Sequence, residues 1–203
     1  MSYIRTNTSP EMEVFSIDEA FIDITKCQAN LGSVNEIATK LQRGIYEKFG
    51  LKASLGVSGD KTTAKHAAKL AKPYGMKIVK PTESAKFLAN VAVIDICGIA
   101  TKTADFLATH NVYKCADMKK ISKEVLTQKY GATGARIWYM CQGLDPSNVM
   151  HNYRAAKTMG HSKILPPNTK DNEIILYYFA HMVAKFMHRM RVNGFYADHF
   201  LIA

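Results

Sequence analysis

Hydrophobic and polar positions alternate or recur with enough regularity to lay out most of the chain. Glu11–Ile17 and Ala20–Thr25 flank Asp18-Glu19. In the second run Ala20, Ile22 and Ile24 alternate with Phe21, Asp23 and Thr25, the period of a strand, so the stretch predicts a β-hairpin with two acids at its bend. Ser33 and Glu36 then form a capping box, and Val34, Ile37, Leu41, Ile45 and Phe49 recur at helical spacing until Gly50 stops the helix. Ala53, Leu55 and Val57 alternate as a strand over 51–57. A Ser58-Gly59-Asp60 turn leads into a helix over about 61–71, and a short strand follows at 76–79. Strand, strand, helix, strand, helix, strand is an α+β order, expected to place helices on one face of one sheet.

From Pro81 the signal turns helical. Residues 82–89, 101–109, 120–129 and 134–142 read as short helices, and residues 152–162, carrying Arg154 and Lys157, as a basic linker. A long helix over 172–193 presents Ile175, Phe179, Met182, Val183, Phe186 and Met190 on one face and ends at Gly194. A strand is expected to open at Phe195 and break off at Leu201-Ile202-Ala203 as an apolar edge without a hairpin partner, so the sequence reads as cut mid-domain.

Composition narrows the class. The 203 residues carry 27 Lys+Arg against 17 Asp+Glu, a formal charge of +10, and 47% are hydrophobic. That is enough apolar content for a core and too little in any one run for a membrane span. Met1-Ser2-Tyr3-Ile4-Arg5-Thr6 lacks the apolar stretch of a secretory leader, and Cys27, Cys97, Cys115 and Cys141 form no CxxC pair, which points to reduced thiols in the cytoplasm. The basic excess favours a polyanionic partner.

Two features carry candidate chemistry. Adjacent acids at a bend are either a solvated turn or a hard-cation site, since Mg²⁺ takes one or two carboxylates and completes its shell with water and phosphate. Asp23 faces the other side of its strand and is read as structural. Lys61, Lys65, Lys69 and Lys72 fall within about 80° on a helix, opposite Ala64, Ala67, Ala68 and Ala71. That row is either a solvated face or a phosphate-contacting one. The absence of acids interleaved on the same helix leans towards the second. The basic side of the long helix (Lys185, His188, Arg189, Arg191) leaves the same two alternatives open.

Ser16-Ile17-Asp18-Glu19-Ala20-Phe21-Ile22-Asp23 resembles the S-[IL]-D-E-A-[FY]-[LI]-D signature of Y-family (UmuC-like) translesion DNA polymerases. The likeness continues in order. It runs through Ser54-Leu55-Gly56-Val57-Ser58 with Lys61, Ala64-Lys65 and Lys72-Pro73-Tyr74-Gly75, then Ile96-Cys97-Gly98-Ile99-Ala100-Thr101-Lys102-Thr103-Ala104. It ends with Gly134-Ala135-Arg136-Ile137-Trp138, Gly143-Leu144-Asp145 and Lys157-Thr158-Met159-Gly160-His161-Ser162. The resemblance implies a partial palm over 1–81, a small helical thumb over 82–151, a linker over 152–162 and the beginning of an α+β little finger from 163. The implied activity is template-directed nucleotidyl transfer in translesion synthesis, DNA repair and the SOS response. Asp18 would bind two Mg²⁺ ions, Glu19 one of them, and Lys72 the triphosphate of a deoxynucleoside triphosphate. Lys61, Lys65 and Lys69, the hairpin at Gly98, Ala100 and Lys102, and Lys157, His161 and Ser162 would contact primer-template DNA. The family's opening D-x-D-x-F-[FY] strand, which supplies a third metal-binding carboxylate, has no counterpart here. The chain is therefore expected to be about half of a family member and inactive alone, or a non-catalytic DNA-binding module. The further partners expected are a sliding clamp and a complementary N-terminal polypeptide.

Overall fold

The computed structural model describes residues 1–150 and 157–201. The chain divides into two compact units, Met1–Asn152 and Tyr153–Ala203.

The hairpin forms as the alternation predicts. β1 (Met12–Val14) pairs antiparallel with β2 (Ala20–Ile22), Glu13 opposite Phe21, and residues 15–19 make the bend. Before it lies α1 (Ser2–Asn7), a helix that hydropathy does not signal because it is six residues long and has no side-chain cap. After it come a single turn, α2 (Gln28–Leu31), and then α3 (Val34–Phe49). α3 starts at the predicted capping box: Ser33 accepts from the Glu36 amide while the Glu36 carboxylate accepts from the Ser33 amide. It stops at left-handed Gly50 and buries Ile37, Ala38, Leu41 and Ile45. At about 1.5–3 kcal/mol for each large side chain, that face outweighs any contribution from helix propensity.

β3 (Leu55–Val57) and β4 (Met76–Ile78) pair in parallel around α4 (Lys61–Leu70), which begins with the Asp60 carboxylate accepting from the Thr63 amide at 2.8 Å. The expectation of one sheet is corrected: the described strands form two separate two-stranded sheets. Alternation within a strand fixes which side is apolar but not which strand is its neighbour. Gly56 shows how closely α4 sits on β3. A Cβ there would collide with the Ala64 carbonyl and the Ala68 amide, so the alanine side of the helix needs a glycine beneath it.

The helical part follows as α5 (Ser84–Leu88), α6 (Thr101–Ala108), α7 (Lys123–Tyr130) and α8 (Ala132–Met140), linked by 3₁₀ turns at Pro81–Glu83, Val93–Asp95 and Cys115–Lys120. Leu88, Leu107, Met118, Leu126, Ile137 and Met140 meet in its core, with the free thiols of Cys115 and Cys141 among them.

In the second unit α9 (Asn172–Val192) starts at Asp171, whose carboxylate accepts from the Glu173 amide, and ends before Gly194. Its predicted apolar face is covered only in part: Met190 is buried, Phe179, Met182 and Phe186 are half-buried, and Ile175 and Val183 are exposed. No strand forms over 195–201, which corrects the expected one. An apolar alternating run becomes a strand only where a neighbour supplies its ladder, and among the described residues none does. Residues 151–156, which include Arg154 and the first part of the linker expected over 152–162, and residues 202–203 lie outside the described residues. No helix among the described residues is long and apolar enough to cross a membrane.

Candidate active site

The bend between β1 and β2 aims Asp18 and Glu19 into a cleft of about 1860 Å³ that is also lined by Lys61, Lys65, Lys69 and Lys72. Asp18 is exposed, and the Ser16 hydroxyl donates to its carboxylate at 2.7 Å. That bond, a backbone bond and then the nearby Lys72 and Lys65 ammonium groups hold the Asp18 carboxyl below its ordinary value.

The lysine row is neither a purely solvated face nor an unoccupied phosphate-binding one. Lys61 donates to Glu13 at 2.7 Å and to the Asn148 carbonyl at 3.3 Å. Lys65 donates to Glu19 at 2.6 Å, and Lys69 to Asp95 at 2.7 Å. The acids are absent from α4, as its sequence shows, and arrive from β1, from the bend and from the Val93–Asp95 turn. The pairings differ in kind. Side-chain exposures are 12% and 19% for Lys61–Glu13, 23% and 44% for Lys65–Glu19, and 55% and 50% for Lys69–Asp95, so they grade from enclosed to solvated. Two hairpin aromatics lie beneath the row. The Lys65 ammonium stands 4.4 Å from the Phe15 ring centre and the Lys61 ammonium 5.0 Å from that of Phe21, and the two rings meet edge to face at 5.4 Å. Lys72 is exposed at the end of this row.

Asp145 closes the Gly143-Leu144-Asp145 motif, and it is the most enclosed charge beside the cleft among the described residues. Its side chain has no exposed surface. It accepts two bonds from Arg136 at 3.0 Å, one from the Thr62 hydroxyl at 2.7 Å, and two from Ser147, amide and hydroxyl, at 3.0 and 2.7 Å. Burial alone would raise its carboxyl, but these donors override burial and bring it down to about 2. Asp145 thereby ties α4 to α8 and to the segment that follows it. Glu13 does the same from β1, accepting from the Met150 amide at 2.8 Å as well as from Lys61. The partners of Glu13 lie 48 and 137 residues away and Thr62 lies 83 residues from Asp145, whereas Arg136 and Ser147 are only nine and two residues from it.

The remaining predicted site residues lie elsewhere. Gly98 (φ +95), Ala100 and Lys102 are exposed where the chain enters α6. Ala100 has φ −94, an ordinary conformation for an L-residue, so alanine at this turn carries no backbone strain. Lys157, His161 and Ser162 are exposed in the second unit. There His161 shares a shallow basic hollow with His181, Lys185, His188 and Arg189, and Arg189 donates to the Gly160 carbonyl at 2.9 Å.

Two neighbouring carboxylates fit the protein's share of one Mg²⁺. Among the described residues no group of three or more His, Cys, Asp or Glu side chains could hold a metal.

Residues 1–69 match the model of the impB/mucB/samB family. DNA polymerase IV of Pasteurella multocida (strain Pm70) is 31% identical over 182 residues, covering 90% of this chain and 51% of the relative. DNA polymerase IV of Legionella pneumophila (strain Corby) is 29% identical over 195 residues, 95% of this chain and 55% of the relative. The crystal structure of DinB from Sulfolobus solfataricus superposes with a TM-score of 0.62 at 27% identity, over 93% of this chain and 55% of that one. A Y-family DNA polymerase chimera of Dbh and Dpo4 does so with a TM-score of 0.75 at 27% identity, over 93% and 54%. The chain spans about half the length of the curated relatives it matches. A shared fold, likeness along most of the sequence and an acidic hairpin bend facing a lysine-bearing helix agree with one another, and the chain is similar along most of its length to Y-family DNA polymerases.

Proposed function

We propose that this chain contributes part of the active centre of template-directed nucleotidyl transfer past DNA lesions. The observation that carries the reading is the single cleft into which Asp18, Glu19 and Lys72 all project. Asp18 and Glu19 would hold Mg²⁺, which when bound neutralises charge developing on the transferred phosphoryl group. Lys72, exposed at the end of the row, would take the triphosphate of the incoming deoxynucleoside triphosphate. Lys65 and Lys69, the Gly98–Lys102 turn, and Lys157, His161 and Ser162 would follow the phosphates of primer-template DNA, while Lys61, enclosed against Glu13, would hold the row in place. In this scheme 1–81 is the palm, 82–151 the thumb, and 163 onwards the start of a little finger. The two-carboxylate donor set makes the chain a poor catalyst alone. A complementary polypeptide carrying a third carboxylate would complete it, and a sliding clamp would act on the assembled enzyme.

The same donor set favours a second reading, a DNA-binding module that does not catalyse. Primer extension with Mg²⁺ and all four deoxynucleoside triphosphates, run beside Asp18→Asn, separates the two. The expected result is salt-dependent binding to primer-template DNA with no extension beyond that of Asp18→Asn. Extension that requires Asp18 would show the chain to be active by itself. Absence of salt-dependent DNA binding would defeat both readings.

A further inference from the structure

In the cleft a lysine sits on a proposed metal ligand. The Lys65 ammonium lies 2.6 Å from the Glu19 carboxylate and 4.4 Å from the Phe15 ring centre. We propose that Lys65 is a resident cation of the acidic bend, occupying Glu19 until a divalent ion displaces it, and that displacement frees its ammonium for an anion in the same cleft. This rests on the reading of Asp18 and Glu19 as metal ligands.

Three features distinguish Lys65 from its neighbours. Lys61 is enclosed, and its acid, Glu13, also serves the Met150 amide, so that pair is held from two sides. Lys69 reaches Asp95, which is not at the bend. Lys65 alone of the three is bonded to one of the two acids at the bend, and Glu19 is 44% exposed, open to an incoming ion. A carboxylate cannot give its full charge to both cations, so ammonium and divalent ion compete for Glu19. After displacement the flexible lysine stem keeps the ammonium over the Phe15 face, in a cleft that Lys72 also lines. Metal binding and phosphate binding would then reinforce each other.

The test uses Mn²⁺ as the probe, with affinity read by the loss of the free-ion electron paramagnetic resonance signal and by calorimetry, without DNA or nucleotide. In the whole chain, Lys65→Met is expected to bind Mn²⁺ about fivefold more tightly, the equivalent of roughly 1 kcal/mol, the upper end for a partly exposed pair. Lys65→Arg, which keeps a cation on Glu19, should bind no more tightly than the parent. Lys69→Met removes the same charge one turn along the helix and should leave the affinity within twofold. A far-ultraviolet spectrum and a thermal melt confirm that each variant is folded. If the parent binds Mn²⁺ in a way that Glu19→Gln abolishes, yet Lys65→Met binds no tighter, the exchange is overturned and the metal reading stands. Equal tightening by Lys69→Met would reduce the effect to general charge and overturn the exchange as well. If neither the parent nor Lys65→Met shows Glu19-dependent binding, the metal reading fails and the exchange with it.

Discussion

Two acidic sites that line the same cleft treat the same functional group in opposite ways. Asp145 has no exposed side-chain surface and receives five hydrogen bonds from Arg136, Thr62 and Ser147. Asp18 is exposed, with one hydroxyl donor from its own bend, and Glu19 has a single lysine. A fully satisfied, desolvated carboxylate is costly to disturb and contributes to shape. A half-solvated one exchanges partners cheaply and is free for chemistry. The cleft is thus lined by one fully bonded carboxylate and by a more loosely held acidic bend.

The comparison can be broken most forcefully at Asp145. Asp145→Ala strands Arg136 and Thr62 and should cost about 3–4 kcal/mol, lowering the melting temperature of the chain by about 6–12 °C. A shift under about 2 °C in calorimetry would remove Asp145 from that structural role. Next in size is Arg136→Met, which leaves a buried carboxylate with neutral donors only and should cost about 2–3 kcal/mol. Acid sharpens the same contrast. The folded-state carboxyl of Asp145, at about 2, lies below its ordinary value of 3.8, so its stabilisation is complete above about pH 4 and is lost as pH falls through the folded value. Urea midpoints should drop between about pH 4 and pH 2, with a shallower drop in Asp145→Asn. The smallest effect is expected at the rim. Asp18→Asn should leave the melting curve unchanged, and a clear shift in either direction would mean that the bend is structural after all.

Where local rules apply, the sequence could be read closely. The Ser33/Glu36 capping box and left-handed Gly50 bound α3 as expected, and the period-two run gave the hairpin with Asp18-Glu19 at its bend. Legibility failed where partners lie far along the chain. The lysines of α4 have no acids on their own helix, yet Glu13, Glu19 and Asp95 reach them from other elements. Periodicity reports which face of an element is polar and is silent on what stands opposite. The same limit explains the single sheet that was expected and the two that form, and the unpaired run from Phe195. α1 has six residues and no side-chain cap, too little pattern to signal a helix, although Tyr3 packs edge to face on Phe49 of α3 at 5.5 Å. Asp145 is a different case: its motif was visible, but its five donors were not.

Glu13 gives the cleft a further property. One oxygen of this carboxylate receives both the Lys61 ammonium and the Met150 amide, and Lys61 in turn grips the Asn148 carbonyl. Residues 148–150 are therefore moored to the first strand of the hairpin. Tension on that stretch must either part these bonds or drag β1, and at the far end of β1 lies the bend that carries Asp18 and Glu19. A tug transmitted through residues 148–150 would thus be felt at the acids as a change in where they point.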